Sequence, residues 1–244
     1  MPHFFIKTDN KFDNKIIISD KENYHHIARV LRARIGESIS LIDEYQVEYK
    51  TKITDITSSN ITCEIISFEK SNRDLEFDLF LAQSPLRSDA QLTVMEKATE
   101  LGVRGVYPII TDNCSVSIDV AKKKLEKWQK VMYEASKQCE RANIPQCFEP
   151  AYIDNVLESN IFDKIIVFGE RSTELSLKKF LVDNTIHKNE KILIIIGPEG
   201  GFSQKEFDFF KNKHFPIVSL GNLILKAETA VIVALGDIIY EYKG

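Results

Sequence analysis

The residues with the clearest chemical potential lie in a glycine-rich turn between two regular patterns. Residues 192–203 read Ile-Leu-Ile-Ile-Ile-Gly-Pro-Glu-Gly-Gly-Phe-Ser, so an apolar run stops at Gly197 and a helical pattern follows Gly201. Glycine tolerates positive φ and lets the backbone approach a ligand closely. Open α/β sheets bind ligands beyond the carboxyl ends of their strands. The turn therefore predicts part of a ligand site, although a turn whose glycines only relieve strain would read the same.

The spacing of these glycines excludes the two commonest nucleotide-binding loops. A Walker A loop needs a Lys-Ser/Thr pair after its last glycine, and none follows Gly201. The Gly-x-Gly-x-x-Gly spacing of dinucleotide-binding folds is also missing, which makes a nucleotide-hydrolysing enzyme the weakest interpretation. The four cysteines lack Cys-x-x-Cys spacing, so we expect free thiols and no metal site.

A second unusual segment indicates which class of protein this is, and therefore which ligand the turn binds. Residues 218–230 read Val-Ser-Leu-Gly-Asn-Leu-Ile-Leu-Lys-Ala-Glu-Thr-Ala. Together with the glycine turn, this segment resembles the C-terminal signature of the SPOUT methyltransferases. Within them it resembles the RsmE family, which methylates N3 of a uracil in small-subunit (16S) ribosomal RNA. Further segments resemble motifs of that family in the same order: His25–Arg32, Glu96–Val103 and Glu134–Pro145.

The resemblance implies an α/β fold with a SPOUT-type parallel sheet and a C-terminal trefoil knot, preceded by a small PUA-like β-barrel. We expect residues 1–74 to form the barrel and to bind RNA, and residues 75–244 to form the methyltransferase domain. The residue patterns agree with this division, because short β-branched runs with one helix at 22–33 give way, after a polar linker at 69–74, to alternating strands and helices. Alternation alone predicts only a doubly wound parallel sheet that is covered on both faces.

The element predictions for the second domain follow its apolar runs and helical periodicity. We expect strands at 76–82, 105–110, 163–169, 191–196 and 216–220. We expect helices at 88–101, 119–142, 173–182, 203–213 and 227–242.

The resemblance also implies S-adenosylmethionine (SAM) as the cofactor, held by three loops at strand ends. SAM has no phosphate, and its adenine needs an apolar slot with a few backbone partners. Leu220 and Leu225 would either wall this slot or belong to the core. The residues assigned to the cofactor are Phe168, Gly169, Glu170, Ile196, Gly197, Pro198, Glu199, Gly200, Gly201, Ser219, Leu220, Gly221, Asn222, Leu225, Thr229 and Ala230.

Three charged residues in the family motifs are candidates for catalysis. Uracil N3 carries a proton and becomes a good nucleophile only when that proton is lost. The hypothesis is that Lys226 and Arg141 stabilise negative charge on the uracil oxygens, and that Glu228 takes the N3 proton or orients Lys226. Glu228 could instead be a helix residue favoured by the dipole of the first turn.

The chain departs from the usual family pattern at two places. Leu223 and Lys226 stand where family members commonly have arginine, and lysine keeps the charge without the planar two-pronged donor geometry. The segment 111–116 also lacks the arginine that commonly precedes Ser-Val. These departures affect the expected RNA contacts more than the fold or the cofactor.

The expected partner is 16S ribosomal RNA or the assembled small ribosomal subunit. A net charge of −4 means that RNA attraction would have to be local. On a helix, His25, Arg29 and Arg32 would share one face, opposite a core face formed by Ile27, Val30 and Leu31. The basic trio is either an RNA-binding face, as the resemblance implies, or an ordinary solvated face.

The last helix and the bulk composition complete the expectations. The segment 227–242 is apolar over much of its circumference. Either a dimer interface, as in the superfamily it resembles, or burial in its own core would explain this equally well. No signal organisation or bilayer-length apolar run is present, so we expect a cytoplasmic protein without a membrane segment. The family resemblance implies a homodimer. Two alternatives remain open: methylation of another ribosomal or transfer RNA position, including a ribose oxygen, or a non-catalytic RNA-binding assembly factor.

Overall fold

The N-terminal strands form where short β-branched runs alternate with turn residues. In the computed structural model, which describes residues 3–159, 161–170 and 175–243, six of these strands make one sheet in the order β1-β4-β5-β6-β3-β2. The β1–β4 pair is parallel and the other pairs are antiparallel. The strands are β1 (His3–Phe5), β2 (Lys11–Phe12), β3 (Lys15–Ile18), β4 (Ser38–Ile42), β5 (Val47–Ile56) and β6 (Ile61–Lys70).

One face of this sheet encloses an apolar core. Alternate strand residues such as Ile16, Ile18, Ile39 and Leu41 are buried there, because successive side chains of a strand point to opposite faces. The sheet belongs to a compact N-terminal unit made of Met1–Asp74 and a returning segment, Ser136–Asn143. The sequence pattern did not anticipate the returning segment, since nothing local to it indicates which unit it packs on.

The predicted helix at 22–33 is shorter than expected and changes its type. The α-helix α1 spans Lys21–His25, and Asp20 caps it by accepting a hydrogen bond from the backbone N–H of Asn23 (2.8 Å). A turn of π-helix follows at His26–Val30. A π-turn bonds each N–H to the carbonyl five residues earlier, so side chains no longer recur with the α-helical period of 3.6 residues.

This change of period overturns one prediction about the core. Ile27 is fully buried, as expected, but Val30 and Leu31 are 59% and 42% exposed. The backbone N–H of Leu31 bonds the carbonyl of His26 at 2.9 Å, which is the i to i+5 pattern of the π-turn. The assignment of Val30 and Leu31 to the core face was therefore wrong, because it assumed that the α-helical period of 3.6 residues continues through this segment.

The C-terminal unit, Leu75–Ala135 with Ile144–Gly244, is built on a parallel sheet. In the described part of this unit, the sheet has seven strands. Six lie in the order β10-β8-β7-β12-β11-β13, the seventh, β9, pairs with β8, and every pair is parallel. They are β7 (Asp78–Gln83), β8 (Gly105–Ile110), β9 (Gln146–Cys147), β10 (Ala151–Tyr152), β11 (Lys164–Phe168), β12 (Lys191–Ile196) and β13 (Ile217–Val218). The helices are α2 (Ser88–Glu100), α3 (Ile118–Gln138), α4 (Ile153–Glu158), α5 (Leu177–Asp183), α6 (Gln204–Asn212) and α7 (Ala227–Lys243).

Both faces of this sheet are buried, as the continuous apolar runs predicted. In β12, Ile192, Ile194 and Ile196 join a core on one face, packed against side chains of α2, α3, α5 and α7. Leu193 and Ile195 join a separate core on the other face, together with side chains of α4 and α6. The prediction of a largely parallel α/β sheet covered on both sides is confirmed.

The element predictions differ from the structure mainly at ends and in short pieces. The helix predicted at 119–142 ends at Gln138, because Glu140 takes the left-handed conformation with φ of 59°. The helix predicted at 173–182 begins at residues outside the described ranges, and α5 starts after the capping side chain of Ser176. The short elements β9, β10 and α4 were not predicted, since two-residue strands carry no periodic signal.

Candidate active site

Three strands end together at one edge of the parallel sheet. Phe168 of β11 is paired with Ile196 of β12 and with Val218 of β13, so the residues that follow these three strands leave the sheet side by side. A cavity of about 840 Å³ opens at this edge. Its lining consists of Arg87, Ala90, Phe168–Glu170, Ile196–Phe202, Phe207, Leu220, Gly221, Leu223–Glu228 and Ala230.

The glycine turn needs glycine for steric reasons at two positions. A Cβ on Gly197 would lie 3.2–3.3 Å from the ring of Phe202, and a Cβ on Gly200 would lie 3.1 Å from the Cβ of Asn113. Gly201 has φ of 68°, which a residue with a side chain seldom adopts. The turn therefore lies close against its neighbours, and at its glycines the backbone faces the cavity without a side chain.

The β8–α3 loop holds this turn in place. Asn113 donates hydrogen bonds from Nδ2 to the carbonyls of Gly201 (3.1 Å) and Gly200 (3.4 Å). Asp112 accepts a 2.6 Å hydrogen bond from the hydroxyl of Ser203, the residue that caps α6. This role of Asp112 and Asn113 is not visible in the sequence, because the contacts join residues about 90 positions apart along the chain.

The third loop carries the charged candidates. Gly221 has φ of 123°, and the chain then runs along the cavity to Lys226 and into the first turn of α7, which contains Glu228. Leu223 and Ile224 line the cavity, yet they are 81% and 53% exposed. This wall of the cavity is therefore apolar and open to solvent.

Most residues predicted for the cofactor lie on this one cavity. The exceptions are Ser219, Asn222 and Thr229, which do not line it. Ser219 instead pairs through its backbone with the carbonyl of Leu175 and the N–H of Leu177, both at 3.0 Å.

The catalytic candidates are placed in two different environments. Lys226 and Glu228 both line the cavity. Arg141 belongs to the segment 136–143 of the N-terminal unit and is not a lining residue. Its side chain is buried, and its Nη2 lies 3.4 Å from Oδ1 of Asp74. Two of the three catalytic candidates therefore lie on the cavity, and the third does not.

Several lining residues were not predicted from the sequence, and Arg87 and Ala90 are the most informative of them. Arg87 belongs to the β7–α2 connection and Ala90 to the first turn of α2, at the same edge of the sheet as the three predicted loops. Their position could have been predicted from the order of the elements, because residues that follow a central parallel strand lie at the ligand-binding edge of the sheet. No glycine or motif pointed to them.

The charges on the cavity wall are mixed. Among the described lining residues the cations are Arg87 and Lys226, and the carboxylates are those of Glu170, Glu199 and Glu228. Nearby, burial raises the pKa of the Cys114 thiol, so this thiol stays protonated at neutral pH and does not supply a thiolate nucleophile.

The predicted RNA-binding trio lies in the N-terminal unit. His25, Arg29 and Arg32 are all exposed. Arg32 lies beyond the helical turns with φ of 52°, so the trio does not follow the regular i, i+4, i+7 spacing of one helix. The basic side chains are accessible, but the loop geometry decides their arrangement.

Two further properties concern metals and membranes. Within the described ranges, no group of three or more His, Cys, Asp and Glu side chains is placed to hold a metal ion. No helix built from those residues has the length and apolar character needed to cross a bilayer.

Comparison with protein families gives two matches. The sequence model of an RNA methyltransferase domain matches residues 73–239, and that of an RNA methyltransferase PUA domain matches residues 18–66. Ribosomal RNA small subunit methyltransferase E of Bacillus subtilis is 30% identical to this chain over 226 residues, which are 90% of this chain and 88% of the relative.

Solved structures give a consistent comparison. A protein of Legionella pneumophila, described as a methyltransferase in complex with the bound cofactor SAM, superposes with a TM-score of 0.85 at 27% identity, over 98% of this chain and 97% of that one. Ribosomal RNA small subunit methyltransferase E of Neisseria gonorrhoeae, bound to SAM, has a TM-score of 0.83 at 24% identity, over 99% and 98% of the chains. The second likeness concerns the fold alone.

Proposed function

The chain belongs to the RNA methyltransferase family that includes ribosomal RNA small subunit methyltransferase E, and from this membership we propose that it methylates N3 of a uridine in 16S ribosomal RNA with SAM as the methyl donor. One observation carries the proposal within the structure. The ends of three parallel strands and the start of α7 surround a single cavity, and Lys226 and Glu228 lie on its wall. The proposed substrate is the assembled small subunit, which places the protein in the cytoplasm.

The residues on the cavity wall fit SAM. Phe168, Ile196 and Leu225 offer an apolar slot for adenine, while the backbone around Gly197 and Gly201 offers donors and acceptors. A Cβ at Gly197 would press against the ring of Phe202 at 3.2–3.3 Å, and glycine leaves the backbone accessible there. Carboxylates of Glu170 and Glu199 suit a cofactor with a sulfonium and an ammonium group. Bound there, SAM would supply an electrophilic methyl group.

The side chains of Lys226 and Glu228 account for the acid–base requirement of the reaction. Glu228 accepts the N3 proton of the uracil or orients Lys226, and Lys226 stabilises the negative charge that develops on the uracil oxygens. Alignment of the base with the methyl donor supplies much of the remaining acceleration. Glu228 also lies in the first turn of α7, so its carboxylate benefits from the helix dipole as well.

RNA binding is proposed for the N-terminal unit, in agreement with the matched PUA domain. The exposed side chains of His25, Arg29 and Arg32 would contact phosphates and so position the RNA without reading its sequence. The catalytic role predicted for Arg141 stays a prediction that the cavity lining does not support.

A trefoil knot is proposed for the C-terminal segment. Two features support it: β13 pairs with β11, and the backbone of Ser219 bonds residues 175 and 177, so the chain after β13 runs beside the segment that follows β11. The loop 220–226 then leads back to α7, which packs on the same core as α2. A crystal structure in which this loop does not pass through the segment after β11 would contradict the knot.

A homodimer is proposed through α7. Although Val231, Ala234, Leu235 and Ile238 bury one side of this helix, Thr229, Ile232 and Tyr240 are exposed on another side. Their spacing of three and eight residues places them on one stripe of the helix. The exposed Leu223 and Ile224 extend the apolar surface to the cavity wall, so a second copy would also cover the open side of the site.

The experiment that tests the function uses small ribosomal subunits from cells that lack the protein. The subunits are incubated with purified protein and methyl-labelled SAM, and the RNA is digested so that the labelled nucleoside is identified by mass spectrometry. Label in 3-methyluridine at one site is the expected result. Label in another nucleoside would contradict the uracil assignment, and no label despite measured SAM binding would favour a non-catalytic RNA-binding factor.

A further inference from the structure

We propose that Arg87 is a substrate-binding residue that holds a phosphate of the RNA strand next to the target nucleotide. The proposal rests on the proposed function and adds a contact that lies outside the three cofactor loops. Arg87 is the last residue of the β7–α2 connection, residues 84–87, which none of the sequence motifs covers.

The backbone that carries Arg87 is firmly anchored. The hydroxyls of Ser84 and Thr111 are 2.7 Å apart in a buried hydrogen bond. The backbone N–H of Leu86 donates to Oε1 of Gln91 at 2.7 Å, and both residues are buried. An exposed arginine on so rigid a base loses little backbone freedom when it binds a ligand.

The side chain of Arg87 is also oriented. Its Nε donates to the hydroxyl of Ser115 at 3.2 Å, and its backbone N–H donates to Oε1 of Glu199 at 3.3 Å. Among the residues that the structure describes, none forms a hydrogen bond or ion pair with its two terminal amino groups. A guanidinium held at Nε presents those amino groups as a pair, which is the geometry that matches two oxygens of a phosphate.

The location of Arg87 suits the backbone of an extruded nucleotide. An enzyme that modifies a base atom takes the base out of its stack into a pocket, while the phosphates stay at the mouth. Arg87 lines the cavity and is exposed, as a residue at the mouth would be. Of the two cations on the described lining, Lys226 is assigned to the uracil oxygens, which leaves Arg87 for the phosphate.

The residue that follows Arg87 is strained. Ser88 adopts φ of 43°, in the left-handed region that favours glycine. Strain of this kind persists where the surrounding contacts enforce it and is concentrated at binding and catalytic sites. The conformation is therefore consistent with a connection shaped for a ligand.

The test compares Arg87→Ala with the unchanged protein in RNA binding, SAM binding and methyl transfer to small subunits. We expect the apparent affinity for the subunit to fall about tenfold, because one charge-assisted contact is lost. We expect the slope of log affinity against log salt concentration to decrease by about one, because one phosphate contact is lost. The affinity for SAM should stay within about twofold of that of the unchanged protein.

Four further variants, one of them a double variant, make the test more specific. Arg87→Lys should keep the salt slope but recover only part of the affinity, because lysine lacks the paired donors. Ser115→Ala should weaken RNA binding less than Arg87→Ala does, and adding it to Arg87→Ala should cause no further loss. Lys211→Ala removes an exposed charge that is not on the cavity lining and serves as the matched control.

Two results would overturn the assignment of Arg87. An unchanged RNA affinity and salt slope in Arg87→Ala would exclude the phosphate contact, and an equal loss of SAM affinity would assign the arginine to the cofactor carboxylate instead. The unchanged protein is measured in the same assay, so a failure of the proposed function is seen separately, as the absence of any methyl transfer to the subunit.

Discussion

Lys226 and Glu228 are the two catalytic candidates that share the cavity with the proposed cofactor residues. Lysine at 226 keeps the positive charge that family members commonly supply with arginine, but it binds as a point charge. A point charge suffices to stabilise developing negative charge, whereas bidentate recognition is lost. We therefore expect substitutions at Lys226 and Glu228 to slow methyl transfer while leaving the affinity for SAM nearly unchanged.

Lys226→Ala should lower the rate of methyl transfer at saturating substrates about 100-fold, because a preorganised charge at the developing anion is removed. Glu228→Gln should cause a loss of about the same size, because the glutamine cannot accept the proton. Single-turnover transfer measures the rate, and calorimetry should show SAM affinity changed by less than about threefold. Lys205→Ala, an exposed lysine that is not a lining residue, is the control. Retained turnover in both variants would remove the assignment.

For Arg141 we predict a loss of stability rather than of turnover, because its side chain is buried and does not line the cavity. Its side chain is 7% exposed and pairs with Asp74, which is 21% exposed. Arg141→Ala should therefore lower the free energy of unfolding by about 2–3 kcal/mol, since a mostly buried carboxylate loses a partner. Urea denaturation measures this loss, and transfer by the folded fraction should stay close to normal. A large loss of turnover with unchanged stability would favour the catalytic role predicted from the sequence motif.

At the scale of elements, the β8–α3 loop acts as a support for the glycine turn. Thr111 bonds Ser84 in the β7–α2 connection, while Asp112 and Asn113 bond residues 200–203. One loop therefore links the connection that carries Arg87 with the turn proposed to hold SAM. A glycine-rich turn has high conformational freedom on its own, so its binding geometry depends on such external contacts.

Asn113→Ala should weaken SAM binding about five- to tenfold, because two hydrogen bonds that hold the turn are lost while no proposed cofactor contact is removed. Equilibrium dialysis or calorimetry measures the dissociation constant. Asn212→Ala is a suitable control, since Asn212 is exposed at the end of α6 and does not line the cavity. Equal SAM affinities for the Asn113 variant and the unchanged protein would show that the turn keeps its geometry without the loop.

At the scale of the whole molecule, the exposed stripe on α7 sets an expectation for assembly. Ile232→Glu would place a charge on this stripe and should convert the proposed dimer to a monomer, because an unpaired charge in an apolar interface is costly. Light scattering coupled to size-exclusion chromatography measures the mass. Val182→Glu adds the same charge on α5, where the side chain is 66% exposed, and should leave the mass unchanged. A monomer for the unchanged protein would contradict the dimer itself.

The sequence by itself determined those parts of the protein that depend on neighbouring residues. Apolar runs with the right period specified the parallel sheet, and β12 was predicted at its observed bounds because its five apolar residues, 192–196, are all buried on one face or the other. The glycine turn and the segment 218–230 identified most of the cavity lining, since their unusual composition is itself the signal. Family motifs added the cofactor, which periodicity could not supply.

Only the tertiary structure decided features that depend on contacts between distant segments. The π-turn exposed Val30 and Leu31, the pairing with Asp74 placed Arg141 in a partly buried ion pair, and the contacts of segment 136–143 placed that segment in the N-terminal unit. The roles of Asn113 and Arg87 likewise emerge from hydrogen bonds that span between 28 and 112 residues. No local pattern encodes such contacts, because the free energy that selects them comes from packing that exists only in the folded chain.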